Sequence, residues 1–236
     1  MANSSFIPDP KWRDLYRIGY WTTLAMLAGI VLAVAAFFIW PYTPGEITIE
    51  QTLNMLNENV IGGLAAIDTS VVLIVPVMFL QWTALYVSLK HINESYALIA
   101  IVFGLIGGTL WLVDRPALEM VVLSREFAEA STQAAQAHYL AAAEAVHSMF
   151  NGTAWFLSQF LINISGVNLE ILMFQHPMFR KSTAIAGLVL SGMGLFFWIP
   201  GLGPIISLIA TIGGIVWYIL MAKDFRSIYK ATVKPV

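Results

Sequence analysis

The chain has 236 residues, of which 58% are hydrophobic and 11% charged, with a mean hydropathy of +0.76 and a formal net charge of −2. Soluble domains carry roughly 25% charged residues, so composition alone points to an integral membrane protein. The slight negative charge argues against a nucleic-acid partner. The absence of cysteine excludes disulfides, thiolate chemistry, Fe–S clusters and CxxC zinc sites. His91, His138, His147 and His176 show neither HxxxH nor HExxH spacing, so no metal centre or cofactor is expected.

Taken in order, Met1–Pro10 is polar and Pro-rich, and the apolar run behind it continues to full membrane length. It reads as a permanent span and not as a cleaved leader. Trp12 and Tyr16 stand among Lys11, Arg13 and Arg17, a mixture suited to the headgroup level of a bilayer. The first span covers about residues 19–40 and stops at Pro41. Beyond a Pro-Gly-Glu turn, Ile49, Leu53, Leu56 and Val60 recur at helical spacing with Glu50 and Glu58 between them, predicting an amphipathic helix on the outer surface.

The second span covers about 63–89, with Asp68 near its outer end and Pro76 inside. The third, about 96–113, carries a Gly104/Gly108 close-packing pair and ends at Asp114-Arg115-Pro116. Residues 117–143 are too polar to cross a bilayer but rich in helix formers, so they predict a helical outer loop. The fourth span, about 144–174, follows directly. A fifth (about 182–198) and sixth (about 205–221) are joined by the turn at Pro200-Gly201-Leu202-Gly203-Pro204. The expected architecture is an all-α, single-domain bundle of six transmembrane helices. Ten of the twelve Lys and Arg then fall on one side, which predicts a cell-membrane protein with both termini cytoplasmic.

The fourth span is the unusual one. At about 100° per residue it gathers Glu144, His147, Ser148, Asn151, Trp155, Ser158, Gln159, Asn163, Gly166 and Glu170 on one side, and Phe156, Phe160 and Ile164 on the other. Hydrocarbon offers no hydrogen-bond partners, so such a stripe belongs against other helices or a wet cavity. Asn, Gln and Ser often serve only to hold helices together, at roughly 0.6 kcal/mol per bond. Ionisable groups at membrane depth are costly and weigh toward function. Asp68, Glu144, His147, Asn151, Trp155, Gln159, Asn163 and Glu170 are therefore the candidate ligand-binding residues. Counting inward from the basic ends puts Asp68, Asp114-Arg115 and Glu144/His147/Asn151 at one outer level, as a cavity mouth or as a packing cluster of ion pairs.

The stretches LYRIG (15–19), LKHINESYALIAIVFGLIGG (89–108) and LSREFAEA (123–130) resemble a bacterial family of multi-pass membrane proteins catalogued only as a domain of unknown function. The resemblance is clearest over about residues 15–130. It implies an inner-membrane helical bundle and carries no activity or site residues with it.

Three functions compete. The first is a non-enzymatic binding or transport-type bundle with membrane lipid and a small or lipophilic molecule as partners. The second is an accessory subunit of a larger membrane complex. The third is an intramembrane enzyme using Asp68, Glu144 and His147 as acid/base groups. No GxSG element or paired-glutamate motif supports the third, no span interior holds a lysine for a retinal, and no internal repeat of the transporter kind is present. The sequence favours the first.

Overall fold

The computed structural model describes residues 8–39, 47–66, 71–150, 152–199 and 201–232, and among these every regular element is a helix. After a 3-10 turn at Pro10–Trp12, capped by Asp9, comes α1 (Arg13–Ile39). The short α2 (Ile49–Glu58) opens on a reciprocal capping box between Thr48 and Gln51 and leads into α3 (Val60–Ala66). The apolar α4 (Val71–Leu89) is followed by α5 (Glu94–Val113), whose first turn is held by Asn93 Oδ1 accepting from the Tyr96 N–H at 3.1 Å. α5 ends ahead of Pro116, which disfavours helical backbone in the residue before it.

The segment expected as an outer loop folds as α6 (Ala117–Glu129) and α7 (Gln133–His147), the latter capped by Thr132. α8 (Thr153–Gln175), α9 (Lys181–Gly194) and α10 (Gly203–Ala231) complete the chain. The α9–α10 reversal uses Gly201 at φ 82°, a backbone region that disfavours other residues.

Six helices form a closed ring in chain order: α1 on α4, α4 on α5, α5 on α8, α8 on α9, α9 on α10, and α10 back on α1. Their shared core includes Tyr16, Trp82, Leu85, Ile101, Leu169, Met173, Met221 and Phe225. A second, smaller core lies in a cap built by α2, α6 and α7, around Leu53, Leu56, Met120, Phe127 and Ala143. Ser124 Oγ–H donates to the Leu53 carbonyl at 2.7 Å and ties α6 to α2 there. The amphipathic segment thus buries its apolar stripe against protein, with Leu53 fully enclosed, and does not simply float on lipid.

Among the described residues, five helical stretches are long and apolar enough to cross a membrane: Pro10–Ala35, Val72–Leu89, Glu94–Glu129, Thr153–Gln175 and Leu208–Ala231. The fold is that of a membrane-embedded helical bundle. Three boundaries depart from the six-span expectation. The fourth span starts at Thr153, because the chain turns through Ser148–Phe150 and Gly152 after α7 ends. The fifth helix has only 14 residues, about 21 Å of the roughly 30 Å hydrocarbon core. The sixth runs on to Ala231, well past residue 221. The second span is seen as α3 and α4, with Asp68 outside the described residues.

One end of the ring gathers the basic segments. Lys90 lies 4.6 Å from the Trp12 ring, Arg13 lies 5.6 Å from the Tyr229 ring, and Arg180 Nε contacts Asp224 Oδ1 at 2.6 Å. These contacts place the start of α1, the ends of α4, α8 and α10 and the start of α9 at a common level, a cation-and-aromatic belt of the kind found at bilayer surfaces.

Glycine sets the helix spacing around α5. A Cβ on Gly104 would stand 2.9 Å from Ser165 Oγ and from Trp82, and one on Gly107 would stand 2.9 Å from the Ser158 carbonyl oxygen on α8. Backbone cannot move aside as a side chain can. Gly107→Ala is therefore expected to cost about 1–3 kcal/mol through overpacking. Gly192→Ala, whose Cβ would meet nothing within 4 Å, should be neutral or gain up to about 1 kcal/mol from helix propensity. Thermal denaturation of the two variants in one detergent checks this ordering; equal shifts would contradict the close α5–α8 approach.

Candidate functional site

The polar residues of α8 divide between two neighbours. Ser158 and Ser165 are buried on the side facing α5, where Gly104 and Gly107 admit them. Asn163, Gly166 and Glu170 face α9, where Gly194, Ser191 and Gly187 receive them. Trp155 packs edge-on against Phe197, just beyond α9, with ring centroids 4.8 Å apart. Phe156, Leu157, Phe160, Ile171 and Phe174 are exposed on the remaining side and form the lipid-facing surface.

Most of the seam satisfies its hydrogen bonds inside its own helix. Asn163 Nδ2 donates to the Gln159 carbonyl at 2.7 Å, Asn168 Nδ2 to the Ile164 carbonyl at 2.8 Å, and Ser158 Oγ to the Trp155 carbonyl at 2.7 Å. Bonds of this back-turning kind let polar side chains enter an apolar interface without a partner on the next helix. Gln159 is half-buried, and its Nε2 donates to the Ser158 hydroxyl oxygen at 3.5 Å.

Glu170 differs. It is 4% exposed, and Ser191 Oγ–H donates to its Oε1 at 3.0 Å. Its other oxygen, Oε2, is buried without a hydrogen-bond partner among the described residues, and so is Trp217 Nε1 from α10. A Cβ built on Gly187 would stand 2.5 Å from both Glu170 Oε1 and Trp217 Nε1. The bare backbone of Gly187 is thus what lets a carboxyl from α8 and an indole N–H from α10 approach one another over α9. All three elements reach this point at one depth: Glu170 is five residues inside the end of α8, Gly187 six inside Lys181, and Trp217 six before Lys223. That is about 8–9 Å below the basic belt.

Glu170 Oε2 and Trp217 Nε1 thus leave an acceptor and a donor without partners among the described residues, on side chains that meet at the notch left by Gly187. Such a pair suits a group that is both, such as a hydroxyl, or an amine that donates to the carboxyl. Buried polar groups are otherwise almost always paired.

The outer end is arranged separately. Arg115 Nη1 and Asp114 Oδ2 form a buried pair at 3.0 Å, with side chains 6% and 0% exposed. The Arg115 guanidinium lies 5.4 Å from the Phe150 ring, and the His147 ring stacks on the same phenyl at 5.3 Å. Arg115 and His147 therefore do share a level, through an aromatic that sequence reasoning did not single out. Burial lowers the His147 pKa. Glu144 is exposed on α7 and takes no part in the α8 seam. Asp68 and Asn151 lie outside the described residues.

Sequence reasoning selected Glu170 but missed Ser191, Gly187 and Trp217. A signal for the first two was present: Gly187, Ser191 and Gly194 recur at helical spacing as a small-residue face. Trp217 lies in the apolar part of α10, among Ile215, Val216, Ile219 and Leu220, and carries no such mark.

Comparison with family models, curated proteins and solved structures returned no match for this chain.

Two outcomes follow. Glu170→Met keeps the volume and removes an unsatisfied buried acceptor, so it should raise stability by about 1–3 kcal/mol; a loss of that size would show that the carboxyl is fully satisfied. At the basic end, burial pushes the His176 pKa down to about 3, His91 adds to this, and a Ser88 backbone hydrogen bond opposes it. The unfolded chain then binds a proton that the folded chain rejects between about pH 6.5 and 3. Stability from His176 is present above pH 6.5 and lost as pH falls, by about 1 kcal/mol per pH unit. His176→Asn retains an acceptor for the Met178 N–H, made by Nδ1 at 2.9 Å, and should flatten the acid limb of a melting-temperature profile. An unchanged limb would contradict this.

Proposed function

We propose that the chain is a non-enzymatic membrane bundle of binding or transport type, and that it takes a small hydroxyl- or amine-bearing molecule at the Glu170–Trp217 notch. The observation that carries this is the buried Glu170 carboxyl with one oxygen unmatched beside an unmatched indole N–H. An ionisable group inside a span is expensive unless something uses it. The depth of the notch, a short distance under the basic belt, makes the route from that surface a short one. Trp155, Gln159 and Asn163 continue the same seam toward the far end and would line the longer path.

We also infer that the basic end faces the cytoplasm, since Lys and Arg accumulate on that side of membrane proteins. The resemblance of residues 15–130 to the bacterial multi-pass family supports an inner-membrane setting. Reporter fusions at Val236 and within Gln133–Ala137 are expected on opposite sides of the membrane; the same side for both would contradict the topology.

The notch is tested directly by composition. Protein purified from membranes is extracted and its small molecules compared with those of Glu170→Leu by mass spectrometry. Wild type should carry a hydroxyl or amine compound that the variant loses. A parallel readout uses the cysteine-free background: Ser191→Cys should react with a small water-soluble thiol reagent, while Val189→Cys, on the lipid side, should not. Identical extracts together with an inert Ser191→Cys would leave the seam a purely structural one.

A further inference from the structure

A separate groove, of about 470 Å³, opens on the outside of the ring between α1 and α4, lined by Asp14, Arg17, Ile18, Trp21, Thr22 and Leu80. Asp14 and Arg17 are exposed, one helical turn apart, and no hydrogen bond or ion pair joins either of them to a described residue. Opposite charges at this spacing ordinarily pair along a helix. Here they project from the bundle side by side into a site with an apolar floor. Trp21 is 57% and Leu80 51% exposed within it. The Thr22 hydroxyl is already committed to the Ile18 and Gly19 carbonyls, at 2.8 and 3.2 Å, and adds no polarity.

The order of these groups along the bilayer normal is the informative feature. Trp12, in contact with Lys90, marks the headgroup level. Asp14 lies about 3 Å inside it, Arg17 a further ~4.5 Å inside Asp14, and Trp21 a further ~6 Å, at 1.5 Å per residue. Leu80 reaches the same depth as Trp21 from the antiparallel α4, ten residues before Lys90. From outside inward the groove therefore presents a carboxylate, a guanidinium, then indole and leucine. A zwitterionic glycerophospholipid presents the complementary order: ammonium outermost, phosphate next, acyl chains beneath.

We propose that this groove is a binding site for a glycerophospholipid with a primary-ammonium headgroup of the ethanolamine class, held by Asp14 on the ammonium, Arg17 on the phosphate, and Trp21 with Leu80 on the upper acyl chain. Arg suits phosphate through its forked donors, and a carboxylate forms charge-assisted hydrogen bonds with an ammonium. A choline headgroup has no N–H for Asp14 to accept. An anionic glycerol headgroup has no ammonium to compensate the Asp14 charge. The site stands on the membrane-embedded fold and is independent of the Glu170 notch.

The test is retention of lipid by the full chain in nanodiscs holding equal parts phosphatidylethanolamine, phosphatidylcholine and phosphatidylglycerol, released into the gas phase and counted by native mass spectrometry. Wild type should retain phosphatidylethanolamine about tenfold over either of the others, the scale of one charge-assisted bond. Asp14→Asn should erase the preference and keep some phospholipid; Arg17→Gln should lose all three. The decisive variant exchanges the pair, Asp14→Arg with Arg17→Asp, which preserves net charge and composition but reverses their depth order. It should lose the ethanolamine preference entirely. Both positions are exposed, so folding is not at stake, and an unshifted melting temperature verifies that. Equal retention of the three lipids by wild type, or an undiminished preference in the exchanged variant, overturns the proposal.

Discussion

The close approach of α8 to α5 on one side and α9 on the other is the contact on which the other packing depends. Hydrocarbon cannot satisfy the polar side chains that α8 carries, so these must turn toward protein, and protein can receive them only where it is thin. Gly104 and Gly107 thin α5; Gly187 and Gly194 thin α9. Within a membrane, packing and not hydrophobicity drives helices together, and small residues are what permit it. Glycine admits close contacts elsewhere in the ring too: a Cβ on Gly19 of α1 would stand 2.6 Å from Phe225 on α10, and one on Gly213 of α10 would stand 2.6 Å from Leu190 on α9.

That same thinning explains why the polar seam need not be a chain of interhelical bonds. Asn163, Asn168 and Ser158 return their donors to the carbonyls of α8 itself. Glu170 stands apart because a carboxyl has no donor to return while ionised, and its second oxygen is buried without a hydrogen-bond partner among the described residues. Elsewhere the bundle does supply partners: Gln81 Nε2 donates to the Thr23 hydroxyl at 2.9 Å, joining α4 to α1, and Arg180 is held by Asp224 and the Leu220 carbonyl. Trp111 Nε1, Ser165 Oγ, Thr183 Oγ1 and His147 Nδ1 are also buried without a hydrogen-bond partner among the described residues. What sets Glu170 apart is that it brings a carboxyl into a span, where ionisable groups are costly.

Much of the architecture was readable because membrane helices declare themselves by length and apolarity. The apolar helices of the bundle were readable in this way, as was the helical character of residues 117–143. The failures have physical causes. Residues 144–174 keep a continuous polar period, so Glu144 and His147 fall on the same face as Glu170 if the helix is unbroken. The turn at Ser148–Phe150 breaks that phase without proline, by local hydrogen bonds such as Phe150 N–H to the His147 carbonyl at 3.0 Å. α9 was read four residues too long because Leu195–Trp198 is as apolar as the helix before it. The notch itself needed three helices at once; periodicity along one helix reports its own face and not the tryptophan that a distant helix brings to it.

The packing of the polar seam depends on α8 meeting α9 through Gly166 and Ser191, and cross-linking tests this most directly. A Cβ on Gly166 would lie 3.0 Å from Ser191 Cβ, close to the roughly 3.8 Å of a disulfide, and no native cysteine competes. Gly166→Cys with Ser191→Cys should oxidise to an intramolecular disulfide in membranes under mild conditions, whereas Gly166→Cys with Val189→Cys should stay reduced. Efficient cross-linking of the second pair, or of neither, would contradict the packing of the polar seam against α9.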